Sequence, residues 1–234
     1  MAIELHEFDS NAVLSENLAE CIASALEGAL NLRDRATLAV SGGSTPKPLF
    51  AALSRCELDW SRVSITQVDE RWVEEDHSDS NARLVREHLL QNNAAAAHFI
   101  SMKLPGTDAF AAEQDVRDKL AAFAESIDVV VLGMGDDGHT ASFFPAADTL
   151  AQALDPAGTD LCLAVRPPVA PHDRMTLSLP ALLAARQLYL HITGENKYAV
   201  LQQALAGDDV MELPIRSVFQ RADNPLQIFY AAGS

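Results

Sequence analysis

Ile127-Asp128-Val129-Val130-Val131-Leu132-Gly133-Met134-Gly135-Asp136-Asp137-Gly138-His139-Thr140-Ala141-Ser142-Phe143-Phe144-Pro145 joins a short apolar, β-branched run to a turn with three glycines, two aspartates and a histidine. The run reads as a buried strand. A buried strand that ends in a glycine-rich turn is how α/β proteins bring polar side chains to the carboxyl edge of a sheet. The stretch therefore predicts an α/β fold with His139 in a site. Imidazole titrates near neutrality and suits a general base, and Asp137, two residues away, is placed to orient it or hold its charged form.

Working outward, Thr37-Leu38-Ala39-Val40 reads as a second buried strand. It runs into Ser41-Gly42-Gly43-Ser44-Thr45-Pro46, and a helix is expected through Leu53 with Pro46 at its first position and Thr45 as N-cap. Val63-Ser64-Ile65-Thr66-Gln67-Val68 alternates as a strand and ends at Asp69-Glu70-Arg71-Trp72. Helical spacing marks Leu14, Leu18, Ile22, Ala25 and Ala29, with Asp9 or Ser10 as cap. Further helices are expected from near Ser80, over 108–125 and from Glu195 to Ala206. Further strands are expected at Leu161–Val165, Met175–Leu179, Gln187–Ile192 and Leu226–Tyr230. Strands separated by helices predict one α/β domain spanning 1–234, built on a largely parallel, doubly wound, Rossmann-like sheet. The strands at 161–165 and 175–179 are joined by a proline-rich loop without a helix, which predicts a small antiparallel excursion.

The 234 residues carry 17 basic and 33 acidic side chains, a net charge of −16. That balance speaks against nucleic acid as a partner. An anionic ligand would have to be met by a few local cations, because the far field repels it and is screened over a Debye length of roughly 8 Å. Cys21, Cys56 and Cys162 form no paired framework, so a reducing, cytoplasmic setting is expected. No signal-peptide pattern opens the sequence, and no apolar run approaches the ~20 residues needed to span a bilayer, so no membrane partner is expected.

Glycines after a strand let a ligand approach the backbone, a following helix offers unpaired amides, and Ser44 and Thr45 add hydroxyls. Gly42, Gly43, Ser44 and Thr45 thus make a candidate phosphate cradle, although a plain tight turn has the same residues. Arg71, at a strand's carboxyl end, suits bidentate pairing with phosphate or carboxylate, or simply a solvated charged turn. Arg174 precedes an apolar strand. Lys197 lies in the first turn of a helix, against the dipole, which asks for another reason for its presence. Gly133-x-Gly135-x-x-Gly138 imitates a dinucleotide fingerprint. Asp136 and Asp137 would stand where a pyrophosphate needs positive potential, and no acidic residue ends a following strand at the right distance. No HExxH or other close set of metal ligands is present, so no metal is expected. Ser142 lacks the GxSxG elbow of a nucleophile.

Taken together, Ser41–Pro46, Asp69-Glu70-Arg71-Trp72-Val73 with Ser80-Asn81, and Gly133–Pro145 resemble the 6-phosphogluconolactonase family, whose superfamily also holds glucosamine-6-phosphate deaminase. Arg174-Met175-Thr176 and Gly194-x-x-Lys197 match weaker signals of the same family. The resemblance implies hydrolysis of a phosphorylated sugar lactone without metal or organic cofactor, by a monomer or small homo-oligomer. It implies His139 as the base that activates water. Gly42, Gly43, Ser44, Thr45, Arg71, Arg174 and Lys197 become the phosphate and substrate shell, with Asp69, Asn81 and Asp137 as supports. Amides of the 133–138 turn are expected to face the oxyanion. Glu74 stands where many relatives have proline, which alters the 74–79 loop and leaves His77 without an assigned role. The deaminase pattern has tyrosine at the position of Arg71 and glutamate at that of Phe144, so both positions favour the lactonase.

Overall fold

The computed structural model describes residues 3–221 and 226–233. The strands are β1 (Ile3–Phe8), β2 (Ala36–Val40), β3 (Val63–Gln67), β4 (Asp69–Arg71), β5 (His98–Phe99), β6 (Val129–Leu132), β7 (Cys162–Val165), β8 (Arg174–Leu177), β9 (Gln187–Thr193) and β10 (Leu226–Ala231). The helices are α1 (Asn11–Leu32), α2 (Lys47–Leu53), α3 (Asn81–His88), α4 (Glu113–Lys119), α5 (Leu150–Ala153), α6 (Leu179–Leu183), α7 (Glu195–Leu205) and α8 (Ile215–Arg221). Seven strands form one sheet in the order β1-β10-β9-β6-β2-β3-β5, and every pairing in it is parallel.

The apolar run of the opening stretch explains why this sheet is covered on both faces. Side chains alternate along a strand. Val129 and Val131 therefore join the core under α1 and α2, while Val130 and Leu132 join the core on the opposite face. In α1, Leu14, Leu18, Ile22 and Leu26 are fully buried, and Ser10 caps the helix by accepting from the Val13 amide at 3.3 Å. The chain leaves β2 towards β3 on one side and β6 towards β9 on the other, although β2 and β6 are neighbours. Their following loops, 41–46 and 133–138, thus part at the carboxyl edge and leave a crevice between them.

The antiparallel excursion is a separate three-stranded sheet, β4-β8-β7. Asp69-Glu70-Arg71 belongs to it as a strand, not as a terminal turn. Several expectations need correction. The helix foreseen over 108–125 shortens to α4 and a 3₁₀ turn at Ala121–Phe123, because the Asp108 carboxylate accepts from the Phe110 and Ala111 amides and holds a turn there. The strand foreseen to Leu179 stops at Leu177, since Ser178 caps α6 and Pro180 sits in its first turn. α2 starts one residue later than expected, with Pro46 as its N-cap, and the Thr45 hydroxyl caps nothing. β1 (Ile-Glu-Leu-His-Glu-Phe), β5, α5, α6 and α8 are too polar or too short for periodicity to reveal. All three cysteines are free. Among the described residues no helix is long and apolar enough to cross a membrane.

At the foot of β6 the Asp128 carboxylate is buried. It accepts from the Thr37 amide at 2.9 Å and the Thr37 hydroxyl at 3.2 Å, and it pairs with Arg33 and with Arg186 at 3.4 Å. This pins β6 to β2 below the crevice. Asp128→Ala leaves the buried Thr37 amide without an acceptor, and a loss of about 3–5 kcal/mol is expected in urea unfolding.

Candidate active site

One cavity of about 380 Å³ occupies the crevice. Ser41, Gly42, Gly43, Ser44 and Thr45 line one part of it, and Gly133, Gly135, Asp136 and His139 another. Asp69, Arg71, Asn81 and Lys197 complete the polar wall. The parting of β2 and β6 brings these segments together.

Along 42–45 the backbone presents donors. Ser41 is tied down by its amide, which donates to Val131 O at 3.0 Å. Among the described residues none of the amides of Gly42, Gly43, Ser44 and Thr45 has a protein acceptor. Gly43 adopts φ +91°, which a glycine takes without strain. Gly42 is required by contact: a Cβ there would lie 1.9 Å from Asn81 Oδ1. Asn81 in turn donates from Nδ2 to Asp69 O at 2.8 Å, so it locks the loop after β4 to the glycine loop after β2.

β4 shows the alternation of a strand. Asp69 and Arg71 face the cavity, and Glu70 between them points the other way, with no solvent exposure. Its carboxylate accepts from the amides of Arg71, Asn81 and Ala82 at 2.7–2.8 Å, from Gln67 Nε2 at 3.0 Å and from Ser80 Oγ at 3.3 Å. Burial pushes Glu70 up to about 7, against the pull of the three amides. Glu70 was not foreseen as a site residue. The available signal was period two: once 69–71 is a strand, its middle residue must face away from the other two. Asp69 Oδ2 accepts from the buried Ser142 hydroxyl at 2.7 Å, which makes Ser142 a prop for Asp69.

In the turn after β6, His139 Nδ1 lies 2.5 Å from Asp137 Oδ1, and the same oxygen accepts from the His139 amide at 3.2 Å. The hydrogen bond from His139 holds Asp137 down at about 2, against a smaller desolvation effect. The ring rests on Phe144, with centroids 4.6 Å apart. Gly135 leaves room for the imidazole, since a Cβ there would lie 2.1 Å from His139 Nδ1. The Gly135 amide donates to His139 O and the Gly138 amide to Gly135 O, so these two are engaged within the turn. Asp137 supports the ring from outside the cavity lining.

Of the three predicted cations, two reach the cavity. Arg71 Nη1 donates to Asp79 O at 2.7 Å, and Lys197 Nζ pairs with Asp136 at 3.0 Å, which answers why a lysine opens α7. Arg174 does not line the cavity. It is buried 5.7 Å over the Phe144 ring and donates to Pro171 O and His172 O at 2.7 and 2.9 Å. His191 on β9 also lines the cavity and has no counterpart in the sequence reading. It is 2 % exposed, its Nε2 lacks a partner, and burial pushes it down to about 4.

A sheet-edge crevice with a row of free amides on one loop and a carboxylate-held histidine on the other defines a sugar-phosphate enzyme class. A family model described as Glucosamine-6-phosphate isomerases/6-phosphogluconolactonase matches residues 9–227. The chain belongs to that family. Within it, a 6-phosphogluconolactonase of Rhizobium meliloti is 44 % identical over 231 residues, 99 % of this chain and all of the relative. One of Pseudomonas aeruginosa is 44 % identical over 97 % of this chain and 94 % of the relative. A crystal structure of a 6-phosphogluconolactonase from Shewanella baltica superposes with a TM-score of 0.95 at 48 % identity, covering 98 % of each chain. These relatives place the chain on the lactonase side of its family, among the hydrolases. A monomeric glucosamine-6-phosphate deaminase shares the fold at a TM-score of 0.81 and 15 % identity.

Two outcomes test the His139–Asp137 arrangement. Gly135→Ala should displace the imidazole and lower kcat by roughly 10²–10⁴-fold, the share of a positioned base, with little change in Tm. In His139→Ala, the Asp137 carboxyl loses its donor. Its titration, followed by carbon NMR, should move up from about 2 towards the ordinary Asp value of about 3.9.

Proposed function

We propose that the protein, working as one domain, hydrolyses 6-phospho-D-glucono-1,5-lactone to 6-phospho-D-gluconate by general-base activation of water. One observation carries this reading: a single cavity is lined both by the free amides of 42–45 with Arg71 and Lys197, and by His139, whose ring Asp137 holds from outside the lining. The first set suits a phosphate dianion, and the second suits a proton transfer.

The amides of Gly42–Thr45 and the cations Arg71 and Lys197 hold the 6-phosphate, and remote binding energy becomes orientation at the lactone carbon. With Nδ1 turned to Asp137, Nε2 is the nitrogen left to take a proton. A water oxygen attacks C1 as His139 Nε2 receives its proton, and a tetrahedral oxyanion forms. The Met134 and Asp136 amides, which line the cavity's side of the turn and have no protein acceptor among the described residues, are donors for that charge. The C1–ring oxygen bond then breaks, and His139 returns the proton to the departing oxygen. A lactone is already an activated ester, so base assistance of ~10²–10⁴-fold with orientation suffices, and no step calls for a metal. Asp69, Asn81 and Glu70 keep the wall in place. Arg174 acts from behind Phe144 and positions the 171–172 backbone.

The deaminase alternative asks for an acidic side chain where Phe144 stands, and Phe144 is an apolar platform under His139. A sugar-phosphate sensor without turnover has no use for the His139–Asp137 pair.

The test is fresh 6-phosphogluconolactone, followed against its spontaneous hydrolysis, beside glucosamine 6-phosphate. Lactone turnover and an inert amino sugar are expected; the reverse would overturn the reading. His139→Ala should lose about 10²–10⁴-fold in kcat at a nearly unchanged KM. Arg71→Ala should chiefly raise KM, and an unchanged KM would remove Arg71 from the phosphate site.

A further inference from the structure

Beside the cavity, two loops meet. One is the strap 74–79 after β4, and the other is the strap 166–173 between β7 and β8. His77, Asp79 and His172 converge where they touch, and one ligand atom from each lies within 4.8 Å of the others. His172 Nε2 is 3.2 Å and His77 Nδ1 4.0 Å from Asp79 Oδ2, and the two rings meet edge to face with centroids 5.4 Å apart. The sequence hides this set, because 93 residues separate Asp79 from His172.

The arrangement is held from behind. His172 adopts φ +70°, a conformation that a non-glycine residue keeps only when its surroundings impose it. The surroundings are explicit. Arg174 Nη1 donates to Pro171 O and His172 O, Arg166 grips Asp173 through two 2.8 Å bonds, and the Trp72 amide donates to Asp173 O at 2.7 Å. On the facing strap, Arg71 Nη1 donates to Asp79 O and Arg83 Nη1 to Asp76 O at 2.9 Å. His77 Nδ1 accepts from the Asp79 amide at 3.1 Å, so that nitrogen is unprotonated, and a cation there takes the lone pair over from the amide. Two imidazoles and one carboxylate are a zinc-type donor set that leaves a coordination position open. The spacing in hand is near the roughly 3.3 Å ligand separation that tetrahedral bonds of about 2.0–2.1 Å demand. His77 is the most exposed residue of the three, so rotation of its ring towards solvent closes the remainder.

We propose that His77, Asp79 and His172 form a binding site for a zinc-class divalent cation that fastens the two straps together. The cation sits outside the reaction. It bears on the cavity through backbone: Asp79 supplies the carbonyl that holds Arg71, and His172 one of the carbonyls that hold Arg174. The site thus couples metal occupancy to the order of the two guanidiniums that β4 and β8 place opposite each other.

Metal-free full-length protein titrated with cobalt(II) alone should take up one equivalent and develop the visible d–d band of a tetrahedral N/O site. Zinc alone should abolish that band and raise Tm. Asp79→Asn and His172→Asn, the latter chosen because asparagine tolerates the left-handed backbone, should each weaken zinc binding by more than about tenfold in calorimetry. His98→Ala, an exposed histidine elsewhere, should not. Zinc affinity unchanged in both cluster variants, an octahedral cobalt spectrum only, or a thiolate charge-transfer band that assigns the metal to a cysteine would each overturn the proposal. These readouts are of metal binding alone, so a failed titration overturns this site, while the lactone assay, run without added metal, judges the catalytic reading separately.

Discussion

Five donors converge on the Glu70 carboxylate, and it has no contact with water. Three of the five are backbone amides from two different segments, β4 and the first turn of α3. An isolated carboxylate would be costly to bury, so the segments that satisfy it are drawn to it together. That constraint sets the start of α3, since the Asn81 and Ala82 amides are among the orphan donors of a helix N-terminus. It also sets the side of β4 from which Asp69 and Arg71 project. With α3 anchored, Asn81 reaches back to Asp69 O and fits against Gly42 with no space for a side chain there. The glycine loop, the cavity-facing strand and the helix behind them are one cross-linked unit, and the cation Arg71 is aimed by a residue that never sees the cavity.

A net charge of −16 makes each cation near the cavity valuable, and the structure uses them for more than charge. Arg71 lines the cavity and also holds the 79 carbonyl. Arg174 is withdrawn under Phe144 and works as a brace on the 171–172 backbone. Lys197 is matched with the exposed Asp136, which neutralises it in the absence of an anion. A strongly acidic protein thereby avoids an unscreened positive cavity while keeping local donors for an anionic ligand, most of them uncharged amides that the far field does not affect.

The strands that build the crevice were legible because parallel sheets bury both faces: Thr37–Val40 and Ile127–Leu132 read as short, largely apolar buried runs. The turn 133–139 stood out because its glycines, aspartates and histidine follow such a run, whereas the loop 41–45 read equally as a plain tight turn. What stayed hidden depended on tertiary partners. β4 is three polar residues long and is a strand only because β8 pairs with it. Glu70 looked like one more surface charge because its donors come from residues 67 to 82. Arg174 read as a ligand because its charge is visible in the sequence and its burial under Phe144 is not. Thr45 read as a cap because threonine before proline often is one, whereas here Pro46 itself takes that place. His77 and His172 are separated by a whole βαβ unit and more, and no spacing rule links them.

The turn that bears His139 is closed from far along the chain. A Cβ at Gly138 would lie 2.5 Å from Leu213, and the Ile215 amide donates to Gly138 O at 2.9 Å. β1, the first strand, likewise pairs with β10, the last, and with no other strand among the described residues. A chain emerging from the ribosome has synthesised His139, Asp137 and the 41–45 loop well before it has the segment that seals the turn. The closure of the His139 turn therefore waits on segments synthesised late. A fragment that stops before residue 213 carries His139 and Asp137 without the contacts that close their turn.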